Sequence, residues 1–403
     1  MSNSIQRTLT LINVTVFVVS LGLGSYFYFV PVFAESLGAT YVDLGVIGTA
    51  AAIPYVIFPL IVGYLADRLN RARVYLIGVL FNASATFLLV FVSSVRDVVI
   101  LRMIGGIGLA LFWPTVETLI SDIADPDVRL RAMGRFSVSY SSGFLIGPAI
   151  GGFLSQTLGI TSLFLMATAE IVLGAILVAL IVVPRYLPST TSTTHEGGFN
   201  FNSIRGSLSM FSVVLPYSIV FSVIVSIFPG YLSIIGVTKP GIGLLFATFG
   251  ISRIITYNYS WRFSAFGEKR SLLLVSIALF TSFYLIASSP ILPGFGDPLP
   301  FVLPMILIGI SLGIFFPVTI STLSKQFPKQ RLGMAVGIYE SLFGIGFSVG
   351  PSLAGLAATF WSPAASYYLM SLISLSLIPL LVKWKTRGIP LGVEKPKIQE
   401  SSH

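Results

Sequence analysis

The chain has no cysteine, only two histidines, and little charge: 10% of its 403 residues are Asp, Glu, Lys or Arg. The first absence excludes disulfides, thiolate metal sites and cysteine catalysis. His195 and His403 lie in a polar stretch and at the C-terminus, so neither a histidine metal site nor a histidine proton relay is expected. No metal and no cofactor are anticipated. A soluble domain carries about 25% charged residues, and the charge here is too sparse to cover the surface of a soluble protein of this size. Phosphate-loop glycines followed by Lys-Ser/Thr are absent. The pattern G-x-S-x-G occurs at Gly309–Gly313 and Gly346–Gly350, but both copies lie inside apolar runs with no histidine in any of them, so neither is a nucleophile elbow. The chain is not expected to be an enzyme.

What is present is apolar: 55% of residues are hydrophobic and the mean hydropathy is +0.92. A bilayer core takes about 20 apolar residues per helix, and the sequence holds twelve such runs, near 8–33, 41–65, 74–94, 97–121, 133–157, 161–183, 209–234, 240–262, 270–290, 299–325, 331–358 and 363–383. The first is too long for the apolar core of a signal peptide and reads as a retained span. One break is long, at residues 184–208, and contains Ser189-Thr190-Thr191-Ser192-Thr193-Thr194, a linker composition. The expected organisation is an N-terminal six-helix bundle (1–184), a linker (185–208), a C-terminal six-helix bundle (209–386) and a tail (387–403). Basic residues follow topology. Arg102 and Arg253 fall inside runs and Arg96 and Lys239 on one side, while the other 20 of 24 fall on the opposite side, with both termini. This predicts cytoplasmic termini in a plasma-membrane protein. It also accounts for the net charge of +9 without a nucleic-acid partner.

The halves repeat. At an offset of 203 residues Gly106, Leu109, Phe112, Pro114, Gly134, Gly143, Gly147, Pro148 and Gly152 meet identical residues, among them Gly346, Gly350, Pro351 and Gly355. At an offset of 198, Pro31, Gly38 and Gly45 meet Pro229, Gly236 and Gly243. The charges inside the runs break this repeat: Arg102 meets Met305, Glu117 meets Ile320, Ser137 meets Glu340 and Tyr55 meets Arg253. The repeat builds the scaffold, and its unmatched charges are the candidates for chemistry. A desolvated carboxyl holds its proton more tightly than one in water and exchanges it when access changes, so Glu117 and Glu340 are candidate proton carriers. Arg253 is a candidate for tuning them or for binding an anion. Arg102, Gly106, Trp113 and Glu117 share one helical stripe.

Three motifs carry a resemblance. The polar stretch Gly63-Tyr64-Leu65-Ala66-Asp67-Arg68-Leu69-Asn70-Arg71-Ala72-Arg73, read as a tight loop between spans, resembles the loop between helices 2 and 3 of the major facilitator superfamily (MFS). It departs from that pattern at Asn70 and Ala72, where glycine and a basic residue are usual. Arg102 followed by Gly105, Gly106 and Gly108 resembles the family's motif in helix 4. Gly143, Gly147, Pro148, Gly151 and Gly152 match G-x-x-x-G-P-x-x-G-G of its antiporters, and helix 11 repeats the motif from Gly346 through Gly350 and Pro351. The resemblance implies an all-α membrane protein of twelve transmembrane helices, two six-helix bundles related by a pseudo-two-fold axis along the membrane normal. It implies a cytoplasmic gate of Gly63, Asp67, Arg68 and Arg71, in which Asp67 caps helix 11 and Arg71 pairs with Asp122. It also implies a central cavity lined by helices 1, 4, 7 and 10, which makes Tyr26, Tyr28 and Tyr217 substrate candidates.

The expected function is secondary transport by rocker-switch alternating access. The resemblance is to the 12-helix drug/proton antiporter branch, implying a proton-coupled exporter of small organic or amphipathic compounds. Symport or uniport of a sugar or organic anion, and a non-transporting sensor on the same fold, are the alternatives. The expected partners are a small-molecule substrate and membrane lipid, with the chain a monomer.

Overall fold

The computed structural model describes the backbone of residues 3–68, 70–124, 126–186, 208–289, 296–327 and 329–383. Among these, every long element is helical: α1 (Ile5–Ser36), α2 (Tyr41–Arg68), α3 (Arg71–Phe91), α4 (Val95–Ile123), α5 (Pro126–Thr157), α6 (Ile160–Arg185), α7 (Val214–Ile234), α8 (Lys239–Asn258), α9 (Glu268–Ser288), α10 (Leu299–Gln326), α11 (Lys329–Phe360) and α12 (Pro363–Val382). Helices are what a lipid-embedded backbone requires, because each peptide group must find its partner within the segment. Eleven of the described helices are apolar and long enough to span a bilayer. The twelfth, α5, is 32 residues long but opens with a polar half containing Arg129, Arg131 and Arg135. The linker and tail predicted at 185–208 and 387–403 lie almost wholly outside the described residues.

Local chemistry sets the helix ends. Ser94 caps α4, accepting from the Asp97 N–H (3.3 Å) while donating to the Asp97 carboxylate (2.7 Å). Thr40 and Asp43 do the same for α2, Thr238 caps α8 and Ser362 caps α12. Gly38 and Gly236, matched in the repeat, end α1 and α7 in the left-handed region at φ 87° and 85°, where a side chain is strained. Each of these two helices also breaks once, at Tyr28 and Ile227. Pro31 and Pro229, paired in the repeat, follow within three residues, and a proline cannot donate to the turn behind it.

Several of the repeated glycines are contact points that do the same job in both bundles. In the N-terminal bundle Gly106 of α4 packs on the Ala51 carbonyl of α2, and Gly143 of α5 on Ser20 of α1. In the C-terminal bundle Gly309 of α10 packs on Phe249 and Ser252 of α8, and Gly346 of α11 on Ser218 and Leu215 of α7. Small residues let membrane helices approach to backbone distance.

The structure corrects one expectation. The stretch Gly63–Arg73 is not a loop over its length: α2 continues through Arg68 and α3 begins at Arg71, so the turn is two residues. Asn70 makes that turn possible by capping α3, its Oδ1 accepting from Ala72 N–H at 2.9 Å.

Candidate functional site

The two bundles meet along α2 with α11 and along α5 with α8. At both crossings a glycine sits against the carbonyl of the helix 5 or helix 11 proline. Gly45 faces the Pro351 carbonyl, 2.6 Å from where a Cβ would stand, and Gly243 faces the Pro148 carbonyl. One turn further out, Gly355 meets the Tyr41 carbonyl and Gly152 the Lys239 carbonyl, each 2.5 Å from a Cβ position. Thr49 Oγ1 donates to the Ser348 carbonyl (2.7 Å) and contacts Ser352 Oγ (2.7 Å). Ser233 Oγ donates to Glu35 Oε2 (3.0 Å), Lys239 Nζ reaches the Ser155 carbonyl (3.4 Å), and Tyr28 stacks on Phe246 at 3.9 Å between ring centres. These contacts all lie toward the face opposite the basic one. Among the described residues no hydrogen bond joins the bundles in the basic half.

Behind this seam, toward the basic face, the structure gathers unmatched charges from both bundles. Glu117 of α4 and Glu340 of α11 are within electrostatic reach of each other. Tyr55 of α2 is in reach of both carboxylates and of Tyr140. Trp113, one turn before Glu117 on α4, packs edge-on against Tyr140 at 4.2 Å. Arg253 of α8 lies 5.7 Å from the centre of the Tyr257 ring, and its Nε is buried with no hydrogen-bond partner. Tyr217 lies flat on Phe315 at 3.5 Å, within reach of Arg253. Among the described residues no ion pair links Glu117, Glu340, Arg253 and Arg102. The arrangement therefore offers two uncompensated carboxylates and one cation in an aromatic frame. A positive group, whether a proton or an organic cation, is what such carboxylates lack.

Not every candidate joins this group. Arg102 is only 7% exposed and its guanidinium sits 4.5 Å over the Phe27 ring, beside Tyr26. Tyr26 packs on Phe164 of α6 and belongs to the interior of the N-terminal bundle. Tyr28 belongs to the seam. The stripe of Arg102, Gly106, Trp113 and Glu117 is divided: its outer residues pack on α1 and α2, and its inner two reach the charge group. Tyr55, Tyr140 and Tyr257 were not singled out from sequence, although two signals existed. Tyr55 is the repeat counterpart of Arg253, and Tyr257 lies one turn beyond it.

On the basic face, Arg71 Nη1 pairs with Asp122 Oδ2. The same oxygen accepts from Tyr186 Oη at 2.7 Å, a contact that sequence reading did not propose. Burial, followed by the Asp122 contact, pushes the Tyr186 phenol up from the ordinary 10.0. It is a donor at neutral pH, and the bond is lost only as pH rises through that higher value. The side chains of Gly63, Asp67 and Arg68, and the first residues of α11, lie outside those described.

Two bundles of paired repeats, crossing at small residues and enclosing unmatched charges, define a membrane transporter. The family model for the Major Facilitator Superfamily matches residues 12–214 and again 209–401, and the chain belongs to that family. It is 26% identical over 371 residues to the multi-drug resistance efflux pump PmrA of Streptococcus pneumoniae, covering 89% of this chain and 91% of that one. It is 23% identical over 397 residues to the quinolone resistance protein NorA of Staphylococcus aureus, covering 93% and 95%. A shorter match, 35% over 170 residues, links it to multidrug resistance protein 1 of Bacillus subtilis and spans 43% of that relative. Among solved structures, the nucleoside transporter NupG superposes with a TM-score of 0.75 at 14% identity, over 94% of this chain and all of that one. That likeness shows the fold. The chain is thus an integral membrane transporter, not an enzyme, and its relatives include a multi-drug resistance efflux pump.

Proposed function

We propose that the chain is a proton-coupled exporter of small organic or amphipathic compounds, with its termini and basic face in the cytoplasm. The observation that carries this reading is the placement of Glu117 and Glu340. They come one from each bundle, neither is paired with a cation, and both stand on the cytoplasmic side of the closed seam. A charge at the bilayer centre costs about 2.5–3.5 kcal/mol even on insertion scales, so each carboxylate is stabilised by whatever neutralises it. With the seam closed, a compound enters from the cytoplasm and displaces a proton. When the bundles rock and the seam opens, protons from outside displace the compound. The PmrA and NorA relatives, by name a multi-drug efflux pump and a quinolone resistance protein, support export and a broad cargo.

Arg253, whose buried Nε has no hydrogen-bond partner, favours a second reading, symport or uniport of an organic anion held by that guanidinium. Gradient-driven transport in proteoliposomes separates the two. Under export, Glu117→Gln and Glu340→Gln abolish proton-driven transport while Arg253→Gln retains it. Under the anion reading the order reverses. Unimpaired transport in both glutamine variants removes the proton assignment.

A further inference from the structure

Three helix ends of the N-terminal bundle converge on the basic face. Asn70 stands at the start of α3, Asp122 at the end of α4 and Tyr186 just beyond α6. Asp122 Oδ2 accepts from both Arg71 and the Tyr186 phenol, the latter at 2.7 Å. Asn70 caps α3 with its Oδ1 and donates from Nδ2 to the Tyr186 carbonyl at 3.4 Å. Residue 70 is where glycine is usual in the pattern this stretch resembles, and a glycine has no side chain for either contact.

The Arg71–Asp122 pair is partly exposed, its side chains 24% and 22%, and such a pair gains less than its Coulomb energy because two flexible side chains must be held in one geometry. A second donor on the same oxygen fixes the carboxylate rotamer beforehand, and a bond to an ionised acceptor is stronger than a neutral one. Tyr186 is 6% exposed and held by its own backbone contact, so it lends order to Asp122 rather than requiring it.

We propose that Tyr186 is a positioning residue of the cytoplasmic gate: its phenol holds Asp122 for Arg71, and Asn70 holds Tyr186, so that the ends of α3, α4 and α6 and the start of the interbundle connection move as one body. The consequence for transport rests on the alternating-access reading above. The consequence for local order does not.

The test uses the full-length protein in lipid nanodiscs. Tyr186→Phe keeps the ring and removes only the hydroxyl. Hydrogen exchange at the amides of Ala72, Arg73 and Val74 and of Asp122 to Ala124 is expected to speed by about tenfold, the size associated with losing a hydrogen bond to a charged group. The maximal transport rate falls several-fold while KM is unchanged, since no substrate contact is touched. In an Asp122→Ala background the Tyr186→Phe substitution has no further effect on exchange. Unchanged exchange in Tyr186→Phe, or an equally large effect in the Asp122→Ala background, overturns the assignment. If no compound is transported by the wild type yet exchange responds as stated, the cluster stands and the transport reading fails.

Discussion

An unpaired carboxylate inside a bilayer is unstable unless something positive or a proton accompanies it, and this chain holds two that reach each other across its bundles. Glu117→Gln and Glu340→Gln are each expected to leave folding intact, because neither carboxylate anchors an ion pair, and to cut gradient-driven transport by a hundredfold or more, roughly the scale of removing an essential proton carrier. Melting temperature in detergent and uptake into proteoliposomes check the two halves of that statement. These residues were legible in the sequence because they break a repeat that is otherwise kept. The tyrosines around them were not. Tyr55 sits in an apolar run, and Tyr140 and Tyr257 sit beside small polar residues such as Ser139, Ser141 and Asn258; in neither setting does periodicity say which way a ring points. Arg102 was also marked by the pattern, and in this structure its guanidinium sits over the Phe27 ring, beside Tyr26.

Elements meet where the sequence repeats. Gly45 and Gly243 are counterparts, and so are Pro351 and Pro148; the structure places each glycine against the proline carbonyl of the opposite bundle. Sequence revealed the recurrence of these residues, but their pairing across the interface depends on three-dimensional crossing and was not readable. The polar stretch Gly63–Arg73 likewise carried its identity in the sequence and hid its geometry, because α2 runs on through Arg68 and Asn70 caps the start of α3. A side chain at either glycine meets backbone, which does not yield. Gly243→Val and Gly45→Val are therefore expected to disfavour the closed seam by about 1–3 kcal/mol, as overpacking does. The chain has no native cysteine, so Ser352→Cys is a clean reporter of the seam. Labelling of that thiol by a membrane-impermeant maleimide added from outside should rise in both valine variants as transport falls. Unaltered labelling with normal transport would show that the seam tolerates the extra bulk.

At the scale of the molecule, two bundles of six helices meet along α2 with α11 and along α5 with α8, and the seam by Thr49, Ser348 and Ser352 is closed in the observed state. The spans were readable because membrane physics imposes run length so strictly, and the family because the motifs at Gly63–Arg73 and Gly143–Gly152 resemble its own. Conformational state was not, since it depends on contacts between helices far apart in sequence. The central claim is that movement of a compound is tied to movement of protons through Glu117 and Glu340. The most direct measurement places purified protein in liposomes with an imposed pH gradient and follows a fluorescent lipophilic cation together with internal pH. The account predicts that the gradient drives the cation against its concentration, that protons move in the opposite direction, and that both fluxes vanish in Glu117→Gln and Glu340→Gln. Cation flux that is indifferent to the gradient, in a wild type whose rate both variants match, would contradict it.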